Sequence, residues 1–266
     1  MKVTGILHAH STYSYDAKLS LRELKALCQK NGLQFICMTE HVDELDATRA
    51  QAFVEECAAL SDESFCIIPG FEVPYRSAHI LMIGAREYLG KYAPSLDVLK
   101  EWSERAPFVV LAHPVRNHFT VEDGLLEQID AIEVWNQQYE GKLVPRVRSL
   151  KLYDALKQKK QTLLATGGVD FHRTEHMGAP LTHLSVEVLR EEAILEKLKI
   201  GAFTIVSTHA NLYGTLPNAE ELVRLHRLRS HLSVTIIVLG KFVNKILAAV
   251  GVSLPKSLKQ FIRKSI

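Results

Sequence analysis

The stretch 3-VTGILHAHSTYSYD-16 combines an apolar run with two histidines and, a few residues later, an aspartate. Residues two apart in a β-strand point to the same face, so His8 and His10 can both reach one cavity. Asp16 follows in the loop. With 12 histidines in 266 residues, roughly half a His-x-His pair is expected by chance. The pair therefore indicates a functional site only if further histidines and acids lie near it.

Further histidines and acids lie at the ends of other apolar runs. These residues are His41, Glu72, His79, His113, Asp170 and His172, of which only His79 opens its run rather than following it. In parallel α/β folds, the edge formed by the carboxyl ends of the strands carries the chemistry. We therefore expect these side chains to meet in one metal centre. The alternative for any single one is a hydrogen-bonded side chain in the core or in a loop.

The order of apolar runs and helix-like segments predicts the fold class. Short strand-like runs alternate with helical patterns near residues 19–33, 43–60, 98–106, 142–159 and 190–199. This alternation is typical of parallel strands with helical crossovers in an α/β protein. About seven or eight strands suit a barrel better than an open sheet.

Composition restricts the class of protein. A chain of 266 residues with 47% hydrophobic content can bury one large core, which excludes a disordered or fibrous protein. The four cysteines form no Cys-x-x-Cys pair and lie in or beside apolar stretches, as reduced core thiols of a cytosolic protein do. The first residues contain no secretory signal pattern. We therefore predict a cytoplasmic protein.

The charge is distributed unevenly along the chain. Residues 222–266 hold nine of the 32 Lys and Arg and none of the 30 Asp and Glu. The preceding residues therefore carry 23 basic against 30 acidic groups, a formal charge of −7. Such a split is typical of a tail that meets an anionic surface. We predict a domain over residues 1–212 and a basic, apolar C-terminal extension over 213–266.

Three kinds of partner are considered for this extension: an anionic membrane, a protein surface and nucleic acid. Its apolar run is interrupted by Lys241 and Lys245, so a membrane-spanning helix is not expected. Helices with one apolar and one basic face fit peripheral attachment to an anionic membrane. The same faces fit docking on the domain or on a second subunit. Nucleic acid is less favoured, because the tail from about Leu222 offers only Phe242 and Phe261 for stacking.

The nine candidate ligands indicate which metals bind and what they do. Imidazole and carboxylate without thiolate suit Zn²⁺, Mn²⁺ or Fe²⁺ and disfavour Ca²⁺ and iron–sulfur clusters. Nine candidates exceed one tetrahedral site, and the two oxygens of Glu72 suit a bridge between ions. Two metals about 3.5–4 Å apart can activate a shared hydroxide and stabilise both oxygens of an in-line displacement at phosphorus. The pattern therefore favours hydrolysis of a phosphate ester.

Four motifs in order resemble the polymerase and histidinol phosphatase (PHP) family over residues 3–210. HAHSTYSYD resembles its His-x-His-Ser-x-x-Ser-x-Asp, and MTEH resembles its Thr-Asp-His. GFEV with the later His79 and AHP resembles its third group, and VDFH its closing Asp-x-His. The resemblance implies a distorted (β/α)₇ barrel of the PHP type with a trinuclear metal centre.

The resemblance also implies which residue binds which metal. It places the first metal on His8, His10, Glu72 and Asp170. It lets Glu72 bridge to a second metal held by His79 and His113, and it assigns the third metal to Asp16, His41 and His172. Glu40 replaces the commoner Asp of the second motif, at a position that supports the ligands rather than joining them.

The substrate follows less directly from the sequence. Arg116 matches an arginine of family members that hydrolyse small phosphoesters, and its guanidinium can bind phosphate with two hydrogen bonds. The alternative is an exposed loop arginine. Arg173 and His118 are further candidates for the phosphate pocket. No large insertion is apparent over 115–161, which favours a small phosphomonoester.

Other activities stay open at this point. The alternatives within the family are a nucleotide phosphatase, an exonuclease on short oligonucleotides and a histidinol-phosphate phosphatase. The non-enzymatic alternative is a regulatory metal-binding domain attached to a membrane or partner. A complete ligand set favours catalysis, because domains that have lost activity usually lack ligands.

Overall fold

A computed structural model describes residues 1–142, 144–207 and 211–215, with only the backbone of Tyr213. The chain divides after Pro217 into two units, and the described residues belong to the first. Beyond residue 215, the predicted C-terminal extension and its partners lie outside the described residues. The boundary at residue 212 stays a prediction. Among the described residues, no helix is both long and apolar enough to cross a membrane.

The described part of the chain alternates strands and helices. The strands are β1 (Lys2–Ala9), β2 (Phe35–Met38), β3 (Glu40–His41), β4 (Cys66–Ile68), β5 (Gly70–Tyr75), β6 (Ala78–Ile83), β7 (Phe108–Leu111), β8 (Ala131–Asn136), β9 (Leu164–Gly168), β10 (Leu181–Ser185), β11 (Phe203–Val206) and β12 (Asn211–Tyr213). The helices are α1 (Leu21–Lys30), α2 (Ala47–Leu60), α3 (Leu96–Ser103), α4 (Gln137–Glu140), α5 (Val147–Lys159) and α6 (Glu191–Lys199), with short 3-10 helices at Leu125–Gln128 and Thr174–His176. The predicted α/β class is confirmed.

The strands form two six-stranded sheets. The first has the order β12-β11-β10-β1-β2-β4, and the second has the order β3-β5-β6-β7-β8-β9. Parallel pairs join β1, β2 and β4 in the first sheet and β7, β8 and β9 in the second. The two sheets meet where β1 ends, because Ala9 bridges to Phe171 just beyond β9.

The expectation of uniformly parallel strands is wrong for part of each sheet. Strand β6 pairs antiparallel with both β5 and β7, and β10 to β12 are antiparallel to their neighbours. Only Arg76 and Ser77 separate β5 from β6. A loop of two residues can only reverse the chain, whereas a parallel crossover needs a dozen residues or more.

Local sequence accounts for where the elements begin and which side they bury. Ser20 and Glu23 form a capping box at the start of α1, which satisfies two free backbone N–H groups. Strands β2 and β7 are buried at every residue, as expected when both faces of a sheet are covered. All four cysteines are free and buried. This packing leaves the ends of the strands as the place where polar side chains gather.

Candidate metal centre

The structure brings the nine candidate ligands together at one edge of the two sheets. His8 lies in β1, His41 in β3, Glu72 in β5 and His79 in β6. The remaining five follow β1, β7 and β9 in short loops: His10, Asp16, His113, Asp170 and His172. The end of β1 in the first sheet thus faces strands and loops of the second sheet.

Glu72 lies at the centre of this cluster and is 1% exposed. Its Oε2 lies 3.0 Å from His8 Nε2 and 3.2 Å from His10 Nε2. Its Oε1 contacts His79 Nδ1 and lies 3.0 Å from His113 Nε2. With His41 Nδ1 at 3.6 Å from Oε2, five imidazoles surround one carboxylate, an arrangement that suits a carboxylate bridging two cations.

A second part of the cluster forms around His10. Its ring stacks against both His41 and His172 at centroid distances of 4.3 Å, and the centroids of His41 and His172 lie 5.9 Å apart. Asp16 faces the same two residues, with Oδ2 3.1 Å from His172 Nε2 and Oδ1 3.7 Å from His41 Nε2.

Potential ligand atoms form four overlapping triads, each with its atoms within 4.8 Å of one another. They are His8–His10–Glu72, His8–His113–Asp170, Glu72–His79–His113 and His10–His41–His172.

The unpaired atoms of the cluster test whether metals fit. His10 Nε2 and Asp16 Oδ1 are buried and form no hydrogen bond with any described residue, and the same holds for Nδ1 of His113, whose Nε2 faces Glu72. Buried polar atoms normally have partners, so His10 Nε2 and Asp16 Oδ1 call for a ligand that accepts both nitrogen and oxygen donors. A divalent metal of the Zn²⁺, Mn²⁺ or Fe²⁺ class meets that requirement.

The electrostatics of the cluster favour cations. Burial would lower the pKa of His8, but the carboxylates of Glu133, Asp170 and Glu72 hold it well above its usual value. Burial would raise the pKa of Glu72, yet His8 and hydrogen bonds from other histidines keep it well below its usual value. For His10, burial dominates and lowers the pKa to about 3. Ionised carboxylates beside a neutral imidazole form a favourable cation site.

Glu40 belongs to none of the ligand triads but is connected to His10 through the hydroxyl of Ser14. Its carboxylate accepts hydrogen bonds from the backbone N–H of Ser11 at 2.9 Å and from the hydroxyl of Ser14 at 2.5 Å. The Ser14 hydroxyl in turn lies 3.2 Å from His10 Nδ1. Burial raises the pKa of Glu40 to about 7 against these hydrogen bonds.

Sequence reasoning missed Glu133, a buried carboxylate in β8. Its Oε1 lies 2.8 Å from His8 Nδ1, and its Oε2 accepts the backbone N–H of His113 at 2.8 Å. The only signal was a single acid inside the apolar run 131-AIEVW-135.

Three of the candidate ligands adopt an uncommon backbone conformation. The φ angles are 63° at His8, 26° at His113 and 55° at Asp170. Non-glycine residues rarely have positive φ, and such strain concentrates at functional sites. The surrounding structure must therefore hold these three residues in place.

Of the three residues predicted to contact phosphate, one borders the cluster of candidate ligands. Arg116 is exposed, and its Nη1 lies 3.3 Å from His79 Nδ1, so it borders the cluster. His118 and Arg173 are exposed as well. Within the described residues, neither of their side chains contacts a candidate ligand. Tyr139 also borders the site, with its ring centroid 5.2 Å from that of His113.

Comparison with known proteins agrees with this geometry. A family model described as PHP domain matches residues 7–176. A Thermotoga maritima protein named Probable histidinol-phosphatase is 25% identical in an alignment of 217 positions that covers 70% of this chain and 89% of that protein.

Solved structures share the fold at low sequence identity. A two-domain protein of Bacteroides vulgatus, containing a predicted PHP-like metal-dependent phosphoesterase, gives a TM-score of 0.56 at 16% identity over 78% of this chain and 65% of that one. Endonuclease Q, in complex with a 27-mer duplex substrate bearing an abasic lesion, gives 0.52 at 15% identity over 77% of this chain and 58% of that one. The chain thus spans less than two thirds of each of these structures.

Proposed function

The chain belongs to the PHP domain family of metal-dependent phosphoesterases, and from this premise we propose that it hydrolyses a small phosphomonoester at a centre of three divalent ions. The observation that carries the proposal is the gathering of the nine candidate ligands in one cluster, with eight of them in overlapping triads and Asp16 against His41 and His172. We further propose that the two sheets correspond to the distorted (β/α)₇ barrel of the family, joined where Ala9 bridges to Phe171.

Each proposed metal has its own set of side chains. The first set is His8, His10, Glu72 and Asp170, the second is Glu72, His79 and His113, and the third is Asp16, His41 and His172. Ions of the Mn²⁺, Zn²⁺ or Fe²⁺ class supply a Lewis acid that activates water and neutralises charge on the phosphoryl oxygens.

The protein contributes binding and orientation of the ester. Arg116 borders the second set at His79 and offers two N–H donors to phosphoryl oxygens. Buried His8, His10 and Glu72 form the inner wall and keep bulk water from that side. The substrate therefore approaches from the side of Arg116.

Two observations support a small substrate. The relative named Probable histidinol-phosphatase aligns over 89% of its length. The formal charge of −7 on residues 1–221 repels a long polyanion rather than attracting it. A nucleic-acid substrate is the second candidate, because the endonuclease Q complex has a similar fold.

A substrate screen of the full chain loaded with Mn²⁺ tests the proposal. The panel contains small phosphomonoesters, nucleotides, histidinol phosphate and short oligonucleotides. We expect turnover of at least one phosphomonoester above that of any oligonucleotide. Preferred cleavage of oligonucleotides would favour the second candidate.

Ligand variants test whether the site carries the activity. His10→Ala and Asp170→Ala should abolish turnover while the circular dichroism spectrum stays that of the folded protein. His183→Ala is the matched control, because His183 is exposed in β10 and lies in none of the ligand triads. Wild-type turnover by either ligand variant in metal-defined buffer would refute the assignment. A wild-type protein that binds metal but turns over no phosphoester would favour the regulatory alternative.

A further inference from the structure

We propose that Glu133, which is not a metal ligand, is the positioning residue that holds His8 and His113 in ligating orientation. The inference rests on the proposed function for the presence of metals at these two histidines. It predicts that the first and second metals depend on one buried carboxylate, whereas the third does not.

The contacts of Glu133 connect the two ligand sets. Its side chain is 1% exposed. Oε1 faces His8 Nδ1, and Oε2 accepts from the backbone N–H of His113 and, at 3.0 Å, from Asn136 Nδ2. Every donor that Glu133 meets in these contacts is an N–H group. Both of its oxygens therefore act as acceptors.

The contact with His8 determines which ring nitrogen is available to a metal. An ionised carboxylate only accepts hydrogen bonds, so His8 Nδ1 carries the proton that it donates to Glu133. The other nitrogen, Nε2, lies 3.0 Å from Glu72 Oε2 and 3.4 Å from Asp170 Oδ1. A metal held by these carboxylates thus meets the lone pair of Nε2. Hydrogen bonds of this type orient ligating histidines and raise their basicity.

The contact with His113 acts on the backbone rather than on the ring. His113 has a φ of 26°, outside the regions that non-glycine residues usually occupy. The hydrogen bond from its N–H to Glu133 is buried and favours that conformation over the alternatives. The His113 ring then reaches Glu72 Oε1 at 3.0 Å.

Gly168 provides an independent observation. Its φ lies outside the left-handed region, so its backbone does not require glycine. A Cβ at this position would lie 1.8 Å from Glu133 Oε1 and 3.1 Å from the Cβ of His8. Both distances are too short for a side chain. The absence of a side chain at residue 168 is therefore explained by the space that Glu133 and His8 occupy.

A glutamine at residue 133 has the shape of glutamate but cannot replace it. One of its two terminal atoms would be an NH₂ donor, facing either His8 or the amides of His113 and Asn136. Facing His8, it would force the other tautomer and protonate the nitrogen that points to Glu72. Facing His113, it would place two donors together beside the uncommon backbone conformation. Either orientation disturbs a ligand.

Metal titration of Glu133→Gln tests the inference without depending on activity. We expect Mn²⁺ affinity to fall by about 10- to 100-fold at two of the three sites, the range found for lost outer hydrogen bonds of metal ligands. One site should keep wild-type affinity. Long-range ¹H–¹⁵N spectra of the protein loaded with diamagnetic Zn²⁺ should show His8 protonated at Nδ1 alone in the wild type and a changed protonation pattern in the variant. With the best substrate, kcat should fall while KM stays within about twofold.

Two further variants separate positioning from general destabilisation. Gly168→Ala should reproduce the lower affinity at two sites, because its methyl group displaces the Glu133 carboxylate. Glu140→Gln is the matched control, because Glu140 lies on the same β8–α4 segment and bonds Ser149 instead of a ligand; it should bind three metals. Wild-type affinity and an unchanged His8 tautomer in Glu133→Gln would overturn the inference. If the wild type binds metals but hydrolyses no ester, the proposed function fails while the titration still decides the role of Glu133.

Discussion

The carboxylate of Glu140 should make the protein less stable as the pH rises. Glu140 lies in α4, where it accepts a hydrogen bond from Ser149. Burial outweighs this bond and raises the pKa of Glu140 from its usual 4.5 to about 7. Between these values the folded protein keeps a proton that the unfolded chain has lost. The stabilisation is therefore present below pH 4.5 and is lost as the pH rises through about 7.

The size of the effect follows from the shift in pKa. Each pKa unit corresponds to about 1.4 kcal/mol, so a rise from 4.5 to about 7 amounts to about 3 kcal/mol as an upper value. Glutamine has the same shape and no charge at any pH. Glu140→Gln should therefore leave the unfolding free energy unchanged near pH 4.5 and raise it by up to about 3 kcal/mol at pH 8.

Urea denaturation at a series of pH values between 4.5 and 8 measures this difference. Both proteins should be freed of metal by chelation, so that the pH dependence of metal binding does not enter. Glu63→Gln is the control, since Glu63 is exposed and its replacement should leave the pH dependence of the wild type. A difference between Glu140→Gln and the wild type that stays constant over this range would refute the reasoning.

Two further substitutions have defined outcomes. Arg116→Ala should lower kcat/KM by roughly 10- to 100-fold, as the loss of a charged hydrogen bond does, and should leave the metal content unchanged. Arg116→Lys should restore only part of the wild-type kcat/KM, because a lysine ammonium cannot form the two parallel hydrogen bonds of a guanidinium. Unchanged steady-state kinetics would remove Arg116 from the site. Gly5→Ala places a Cβ 2.4 Å from the carbonyl oxygen and ring of Phe35 and should destabilise the protein by about 1–3 kcal/mol. A wild-type urea midpoint would contradict the pairing of β1 with β2.

The candidate ligands other than Asp16 could be predicted because each lies beside a strongly apolar run. His8 and Asp170 follow such runs directly, and a pattern of period two or a run of buried residues is readable without tertiary information. The helices were readable for the same reason, as the apolar face and capping box of α1 illustrate.

Strand direction was not readable from local sequence. The β5–β6 hairpin turns at Arg76 and Ser77 without the glycine or asparagine that usually marks a two-residue turn. Pro74 lies inside β5, where proline argues against an interior strand. Pairing partners far apart in the chain decide such cases, and no local pattern reports them.

Glu133 shows a second limit of prediction from sequence, which concerns buried polar residues that act through another side chain. A single acid in a buried strand is compatible with a bulge, an edge or a polar network, and the sequence does not distinguish them. Only the approach of β1 to the second sheet brings His8 next to it. Residues that act by touching another side chain depend on tertiary packing, whereas residues at strand ends are marked by their position along the chain.

The proposed first metal draws on both sheets, since His8 belongs to β1 and Glu72 to β5. A bound ion would thus act as a removable cross-link between chain segments that are distant in sequence. Cross-links of long loops restrict the unfolded ensemble more than those of short loops. Loss of the ion would then loosen the contact between whole sheets and expose the chain to proteases. Metal supply would govern how long the protein survives as well as how fast it works.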